Sequence, residues 1–515
     1  MQRLMWMVGA GLAGAQSSFA MAPYHWWWLL FLTLPVMVLA IDGSIAPDTP
    51  WHKRMRAAFW PGLAFGFGFL ALSLGWIGNA LLVDADRYGW LLPFAKYGLP
   101  LGLALFYGLG AALAGLVWSR GVAGAFALAF GLGVSEWLRG FVLTGFPWNT
   151  LSQSLADTPL LMQGFALIGP DGMTLVLIIA AASMIGLVQP ANWQIRLLRL
   201  GPAVIIVCGL AAYGGLRLSA PVMMADGVVR IVQPNVAQKD KWKPDQRMAI
   251  TRHLLDLTPV KATGRPAVVV WPEAATPYFL QDSPAVLAAI GAKLGRDQVV
   301  VTGTPRHGPI QEDFSAQTYN GIVVVNNLGS VVASYDKHHL VPFGEYVPLK
   351  ALAARLGLEA IVDGPSGFAE GPGPRTLALE GALPSISPLV CYEVIFPLAV
   401  VDPEERPALL VNVTNDAWYG VSAGPPQHLA QARLRAVEQG LPLARAANTG
   451  ISAVIDPYGR VVSSLSLNRR GAIEVPLSKP LEVTIFALYG NAAFFIILLV
   501  SSIIAVIFRL NERNI

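Results

Sequence analysis

Cysteine is nearly absent from this chain: Cys208 and Cys391 are the two thiols in 515 residues. That excludes a disulfide framework. Charge is scarce as well. Only 13% of residues are charged and 54% are hydrophobic, whereas soluble domains carry about 25% charged residues. An ordinary soluble chain is therefore excluded, and the composition is of the membrane class. Metal-ligand spacing is also missing. His338 and His339 are adjacent, without Cys or Asp partners at ligand spacing, so no metal, cofactor or nucleotide site is expected. The net charge of +4 calls for no nucleic-acid partner.

What the chain has instead is a division into parts. Residues 1–226 hold long charge-free runs, the segment 228–478 carries charges, prolines and turn dipeptides, and an apolar run returns over 481–508. A membrane span needs about 20 apolar residues. Runs near 4–20, 24–42, 57–79, 93–118, 121–141, 171–188, 198–218 and 481–508 qualify. The expected architecture is an eight-helix transmembrane bundle with an α/β domain inserted before the last helix. Its expected domains are 1–220, 227–478 and 479–515. The first run also has features of a signal peptide, a basic Arg3 and small residues from Ser17 to Ala22. Its glycine-rich middle and the prompt second run favour a retained helix.

Lysine and arginine near the span ends set the sidedness. With Arg3 in the cytoplasm, Lys53, Arg54 and Arg56, then Arg120, then Arg196 and Arg199, and finally Arg509 and Arg513 all fall on the cytoplasmic side. Asp84, Asp86 and Asp157, with Arg87, fall on the other. Both termini are then cytoplasmic and the α/β domain is periplasmic or extracellular. A free thiol in such an oxidising compartment is unusual. That favours a chemical role for Cys391, while Cys208 inside a span reads as packing.

In the α/β domain, β-branched runs alternate with helical patterns. Strands are expected at 227–232, 267–271, 298–301, 320–326, 331–335, 389–390, 408–413 and 451–455, and helices at 244–257, 284–294 and 428–438. Glu273, Lys337 and Cys391 each stand at the end of a β run, where ligand sites in α/β sheets gather. Singly they read as a surface acid, a loop charge and a small buried thiol. Together, a base, a cation and a thiol are the parts of nucleophilic acyl transfer.

The segments Val270-Trp-Pro-Glu273, Tyr335-Asp-Lys337-His-His-Leu-Val-Pro-Phe-Gly-Glu345-Tyr-Val-Pro348 and Cys391-Tyr-Glu393 resemble the nitrilase superfamily, and within it the apolipoprotein N-acyltransferases. Asn412-Val-Thr-Asn-Asp-Ala-Trp-Tyr-Gly420, Gly424-Pro-Pro-Gln-His428 and Arg445-Ala-Ala-Asn-Thr-Gly-Ile-Ser452 fit the same family. The resemblance covers essentially the whole chain. It implies a nitrilase-like αββα sandwich and Glu273, Lys337 and Cys391 as a catalytic triad. Supporting roles are implied for Glu345 and Glu393, and the Tyr392 backbone N–H is a candidate oxyanion donor. Trp242 matches a loop aromatic near the lipid substrate. Trp418 and Tyr419 are similar candidates, with ordinary loop packing as the alternative, and His428 reads as a structural hydrogen-bonding residue.

The implied activity takes an acyl chain from a phospholipid, through a Cys391 thioester, to the α-amine of a diacylglyceryl-modified apolipoprotein in the bacterial inner membrane. A monomer is expected. Within the bundle, Glu136 and Arg139 are spaced to pair at i, i+3, and Arg139 is a candidate ligand for a phosphate headgroup. Two rivals remain at this stage: a membrane-tethered amidase using the same triad, and a transporter with an outer sensor domain. Eight spans exceed what a tether needs. The chain also lacks the paired interrupted helices of many transporters.

Overall fold

The computed structural model describes residues 2–46, 48–260, 264–310, 316–347 and 367–513. Pro348, the last residue of the Lys337 loop motif, lies outside the described residues. The chain forms two compact units. The first comprises 1–220, 422–430 and 483–515; the second comprises 221–421 and 431–482.

In the first unit, seven helical stretches among the described residues are long and apolar enough to cross a membrane. These are Trp27–Ser44, Trp51–Ser73, Ala85–Leu116, Val122–Arg139, Phe165–Leu187, Gly201–Leu218 and Ala492–Glu512. The expected first span is the helix Gln2–Ser17. Its 16 residues rise about 24 Å, short of the length of the other seven. It nonetheless packs into the bundle: Ser17 donates to Thr33 at 2.7 Å, and a Cβ on Gly14 would lie 1.9 Å from the Phe65 carbonyl oxygen. Small residues also let Leu99–Leu116 and Val122–Arg139 touch backbone to backbone. A Cβ on Gly131 would stand 2.1 Å from the Gly110 carbonyl oxygen. Such contacts replace the hydrophobic drive that is missing between helices in lipid.

Several buried polar side chains inside this unit are paired. Arg139 donates from Nε and Nη2 to the two oxygens of Glu136, at 3.1 and 2.9 Å, and from Nη1 to the carbonyls of Phe146 and Trp148. Gln427 is a second node. Its Oε1 accepts from Trp76, Trp148 and Asn149, and its Nε2 donates to the carbonyls of Ser73 and Ala22. The His428 ring lies against Trp148 at a tilt of 36°, 5.3 Å between centroids.

The second unit is built on two sheets. One has the order β11-β1-β2-β3-β4-β5 and the other β10-β9-β8-β7-β6. The strands are β1 Met224–Gln233, β2 Ala267–Val270, β3 Gln298–Ile310, β4 Ala316–Asn326, β5 Val331–Asp336, β6 Ile386–Val390, β7 Leu409–Thr414, β8 Leu443–Ala447, β9 Ser452–Ile455, β10 Val461–Leu465 and β11 Gly471–Ser478. Strands β1, β2 and β3 run parallel, as do β6, β7 and β8.

Period-2 alternation sorts the side chains of the first sheet. Val229, Ile231, Val268, Val270, Val299 and Val301 meet Leu409, Val411 and Val413 of the second sheet in one core. The intervening Val232, Val269, Val300 and Val323 pack instead with Ile250 and Leu254 of the helix Arg247–Leu257 and Ile290 of the helix Pro284–Gly291. Sheet therefore stacks on sheet, with helices covering the outer face. Burial on both faces explains the unbroken valine runs of β2 and β3.

Candidate active site

The sandwich brings the ends of several strands together, and the site residues stand there. Cys391 follows the last residue of β6 and opens the turn Cys391–Ile395. Its φ is +49°, a left-handed conformation that β-carbon sterics disfavour and that recurs at functional turns. Glu393 holds this turn. Its Oε2 accepts from the Val390 N–H at 2.7 Å. Its Oε1 accepts from the Tyr335 hydroxyl at 2.7 Å and from the backbone N–H groups of His338 and His339. Burial disfavours the Glu393 charge, but the bond to His338 and the other donors outweigh it and lower the pKa. One buried carboxylate thus ties the Cys391 turn to the loop that follows β5.

Lys337 is the first residue of that loop and is 1% exposed. Its ammonium donates to Glu345 Oε2 at 2.7 Å, and the same oxygen accepts from the Val341 N–H at 2.8 Å. Burial opposes the charge of Lys337. The carboxylates of Glu345 and Glu273, with Cys391, more than offset this and raise its pKa.

Glu273 lies three residues beyond β2 and is buried. The amide of Asn320, on β4, donates one hydrogen to Glu273 Oε1 and the other to Glu345 Oε1, both at 2.7 Å. The Glu273 turn passes so close to β3 that a Cβ on Gly303 would be 2.6 Å from the Glu273 Cα; only glycine fits there. Burial raises the Glu273 pKa, Lys337 lowers it and the neighbouring Glu345 raises it again, with a net upward shift. A carboxylate so placed holds a proton more readily than a free one.

Burial and the Glu273 carboxylate push the Cys391 thiol up to about 12, against the pull of Lys337 and a hydrogen bond with the Thr414 hydroxyl. The Tyr419 hydroxyl lies 4.0 Å from Sγ. Thr414 and Tyr419 come from the end of β7 and the turn after it. Asp416 in that turn is buried at 2.7 Å from Arg445, which fixes the turn against β8.

The remaining candidates are distributed as follows. Tyr392 is buried, its ring edge-on to Phe396 at 5.1 Å. Trp418 sits half-buried on the Asp416–Tyr419 turn, and Trp242 is 49% exposed on the loop after β1. Arg139 belongs to the bundle, where its guanidinium is committed to Glu136 and two loop carbonyls. No group of three metal-ligating side chains occurs among the described residues.

Sequence reasoning missed Asn320, Thr414, Asp416 and Lys241. Asn320 is an amide set ahead of the apolar run Ile322–Val325, a signal in itself, since a buried side-chain amide must find partners. Lys241 sits between Lys239 and Lys243, and three cations in five residues read as a solvated loop.

Two family models cover most of the chain. The carbon-nitrogen hydrolase model matches residues 229–481, and the apolipoprotein N-acyltransferase N-terminal domain model matches residues 13–183. Relatives named apolipoprotein N-acyltransferase are similar over nearly their full length. That of Allorhizobium ampelinum is 43% identical over 89% of this chain and 87% of its own. That of Rhizobium rhizogenes is 40% identical over 97% and 95%, and that of Brucella melitensis biotype 1 is 41% identical over 92% and 90%. With a carbon-nitrogen hydrolase unit, a set of membrane-length helices and relatives matched from end to end, the chain belongs to the apolipoprotein N-acyltransferase family.

Proposed function

We propose that this protein transfers a fatty acyl chain from a phospholipid, by way of a thioester on Cys391, to the α-amine of the S-diacylglyceryl cysteine that begins a bacterial apolipoprotein. One observation carries the reading: a buried thiol, a proton-accepting carboxylate and an ammonium converge at the strand ends of a unit matching the carbon-nitrogen hydrolases. In the first half-reaction Glu273 takes the Cys391 proton as sulfur attacks the ester carbonyl. Lys337 stabilises the negative charge on the tetrahedral oxygen. The intermediate collapses, the C–O bond breaks, and the lysophospholipid alkoxide leaves with the proton from Glu273. In the second half-reaction the neutral amine attacks the thioester. Glu273 receives the amine proton, the C–S bond breaks, and that proton returns to the thiolate.

Membrane helices suit a pair of lipid substrates. Lifting a chain out of the bilayer costs about 0.8 kcal/mol per CH₂, a cost that an enzyme embedded beside its substrates avoids. The proposed location is the bacterial inner membrane, with the catalytic unit periplasmic, both termini cytoplasmic and Gln2–Ser17 as an eighth crossing. Packing within the bundle supports the grouping of basic segments at one end. Arg54 and Arg120 donate to the carbonyls of Trp118 and Ile45, the Arg120 N–H donates to Glu512, and a Cβ on Gly186 would contact Arg199. A monomer is proposed.

The deciding experiment is intact mass spectrometry after incubation with phospholipid. A fatty-acyl adduct labile to hydroxylamine is expected on wild type and absent from Cys391→Ala. Hydrolysis of small soluble amides with no adduct from any phospholipid donor would replace this reading with a membrane-tethered amidase.

A further inference from the structure

The site holds more positive charge than the triad supplies. Lys337 is held by Glu345 at 2.7 Å. With Glu273 ionised and Cys391 protonated, those four groups carry one net negative charge. Moving the thiol proton to Glu273 leaves the same negative charge on sulfur, in a buried place where an uncompensated anion is costly. A second ammonium is buried in this unit. Lys241, 3% exposed, stands on the loop after β1 and donates from Nζ to the Glu273 backbone carbonyl at 3.0 Å. Strand β1 pairs with β2 in parallel, so the β1 loop lies beside the Glu273 turn.

We infer that Lys241 is a positioning cation for acyl transfer: it fixes the Glu273 turn through that carbonyl, and it neutralises the Glu273–Cys391 pair whichever of the two is the anion. The inference rests on the acyl-transfer reading above. With Lys241 charged, the five groups sum to zero before and after the proton moves from sulfur to carboxylate, and Lys241 itself neither gains nor loses a proton. The proton transfer then needs no compensating charge from water.

Burial pulls the Lys241 ammonium down to about 8, while the Glu273 and Cys391 charges hold it up. Around this pair stand Lys337 and Glu345 from the loop after β5, and Asp416 and Tyr419 from the turn after β7. On its own loop, Asp240 is tied to Lys243 at 2.6 Å in solvent. The sign of the pH dependence is distinctive. Thiol chemistry ordinarily accelerates with alkali, but acylation here falls as pH rises through about 8, because Lys241 discharges.

The test uses the full-length protein in detergent, with wild type, Lys241→Arg and Lys241→Met. Acyl-adduct formation from phospholipid is followed by intact mass between pH 6 and 10. In parallel, the rate of Cys391 alkylation by iodoacetamide is measured without lipid at pH 7, where Lys241 is charged. Lys241→Met is expected to slow acylation roughly 100-fold and to slow that alkylation as well. Lys241→Arg is expected to restore most of the rate and remove the alkaline fall, because guanidinium stays charged. A wild-type alkylation rate at pH 7 in Lys241→Met, or equal loss in both variants, would overturn the inference. If wild type gives no lipid adduct but alkylation at pH 7 responds to Lys241 as stated, the substrate reading fails and the charge role of Lys241 stands.

Discussion

The Glu345 carboxylate lies 2.7 Å from the Lys337 ammonium and takes its second anchor from Asn320. Both oxygens are therefore occupied by donors. Glu345→Gln must turn an NH₂ toward either Lys337 or Asn320, so one donor always faces another. Acyl-enzyme formation is expected to fall roughly 100-fold, with Cys391 still present and alkylatable. A time course of adduct formation by intact mass checks this.

Asn320 separates two carboxylates with one amide. Asn320→Asp places a third carboxyl between them, and like charge raises the Glu273 pKa further. The acidic limb of the acylation rate is expected to move to higher pH in Asn320→Asp, and to a lesser degree in Asn320→Ala. A pH–rate profile from pH 5 to 8 reads the order.

The Cys391 thiol is pushed from 9.0 to about 12. At neutral pH its thiolate fraction is then roughly a thousandfold below that of an ordinary cysteine. Iodoacetamide is expected to label wild-type Cys391 slowly at pH 7 and Lys337→Met more slowly still, since the cation lowers the thiol pKa. Rapid labelling of wild type at pH 7 would contradict the geometry.

Glu393 is buried under donors from Val390, Tyr335 and His338. Removing it leaves those donors unpaired, and Glu393→Ala is expected to destabilise the fold by about 3 kcal/mol. Its folded pKa lies below the usual 4.5. The stability it contributes is therefore present above about pH 4.5 and lost as pH falls through the depressed value. Denaturant unfolding at pH 3–6 is expected to show a steeper acid loss in wild type than in Glu393→Gln.

Arg139 makes a bidentate pair with Glu136 and bonds two loop carbonyls. Lysine has no planar fork to reproduce this. Arg139→Lys is expected to lower the melting temperature in detergent nearly as much as Arg139→Ala. A role as a headgroup ligand would appear instead as a raised KM for phospholipid at unchanged stability.

The α/β unit was legible in the sequence where the valine runs lie. Strands β1 to β7 and β9 are all present near their expected places; β3 runs nine residues beyond its expected end, and the other boundaries differ by a few residues. Strand β8 escaped notice because Leu443-Ala-Arg-Ala-Ala is poor in β-branched residues; it is held by β7 and β9 rather than by its own preference. Strand β10, Val461–Leu465, is a short half-exposed edge. Glu273, Lys337 and Cys391 could be singled out because each lies within three residues of a strand end. Asn320 and Lys241 could not be found the same way: their roles depend on which carboxyl groups the neighbouring strands of the first sheet bring near, and pairing between segments distant in sequence leaves no local pattern. Nor does sequence hydropathy foretell that residues 422–430 join the membrane unit, where Gln427 satisfies two indoles and an asparagine.

The φ of +49° at Cys391 sets reactivity against backbone preference at one position. A left-handed residue with a β-carbon costs about 1 kcal/mol relative to glycine. Cys391→Gly, though inert, should therefore melt at a higher temperature than the equally inert Cys391→Ala. A thiol at this position is thus carried at a backbone cost that glycine would not incur.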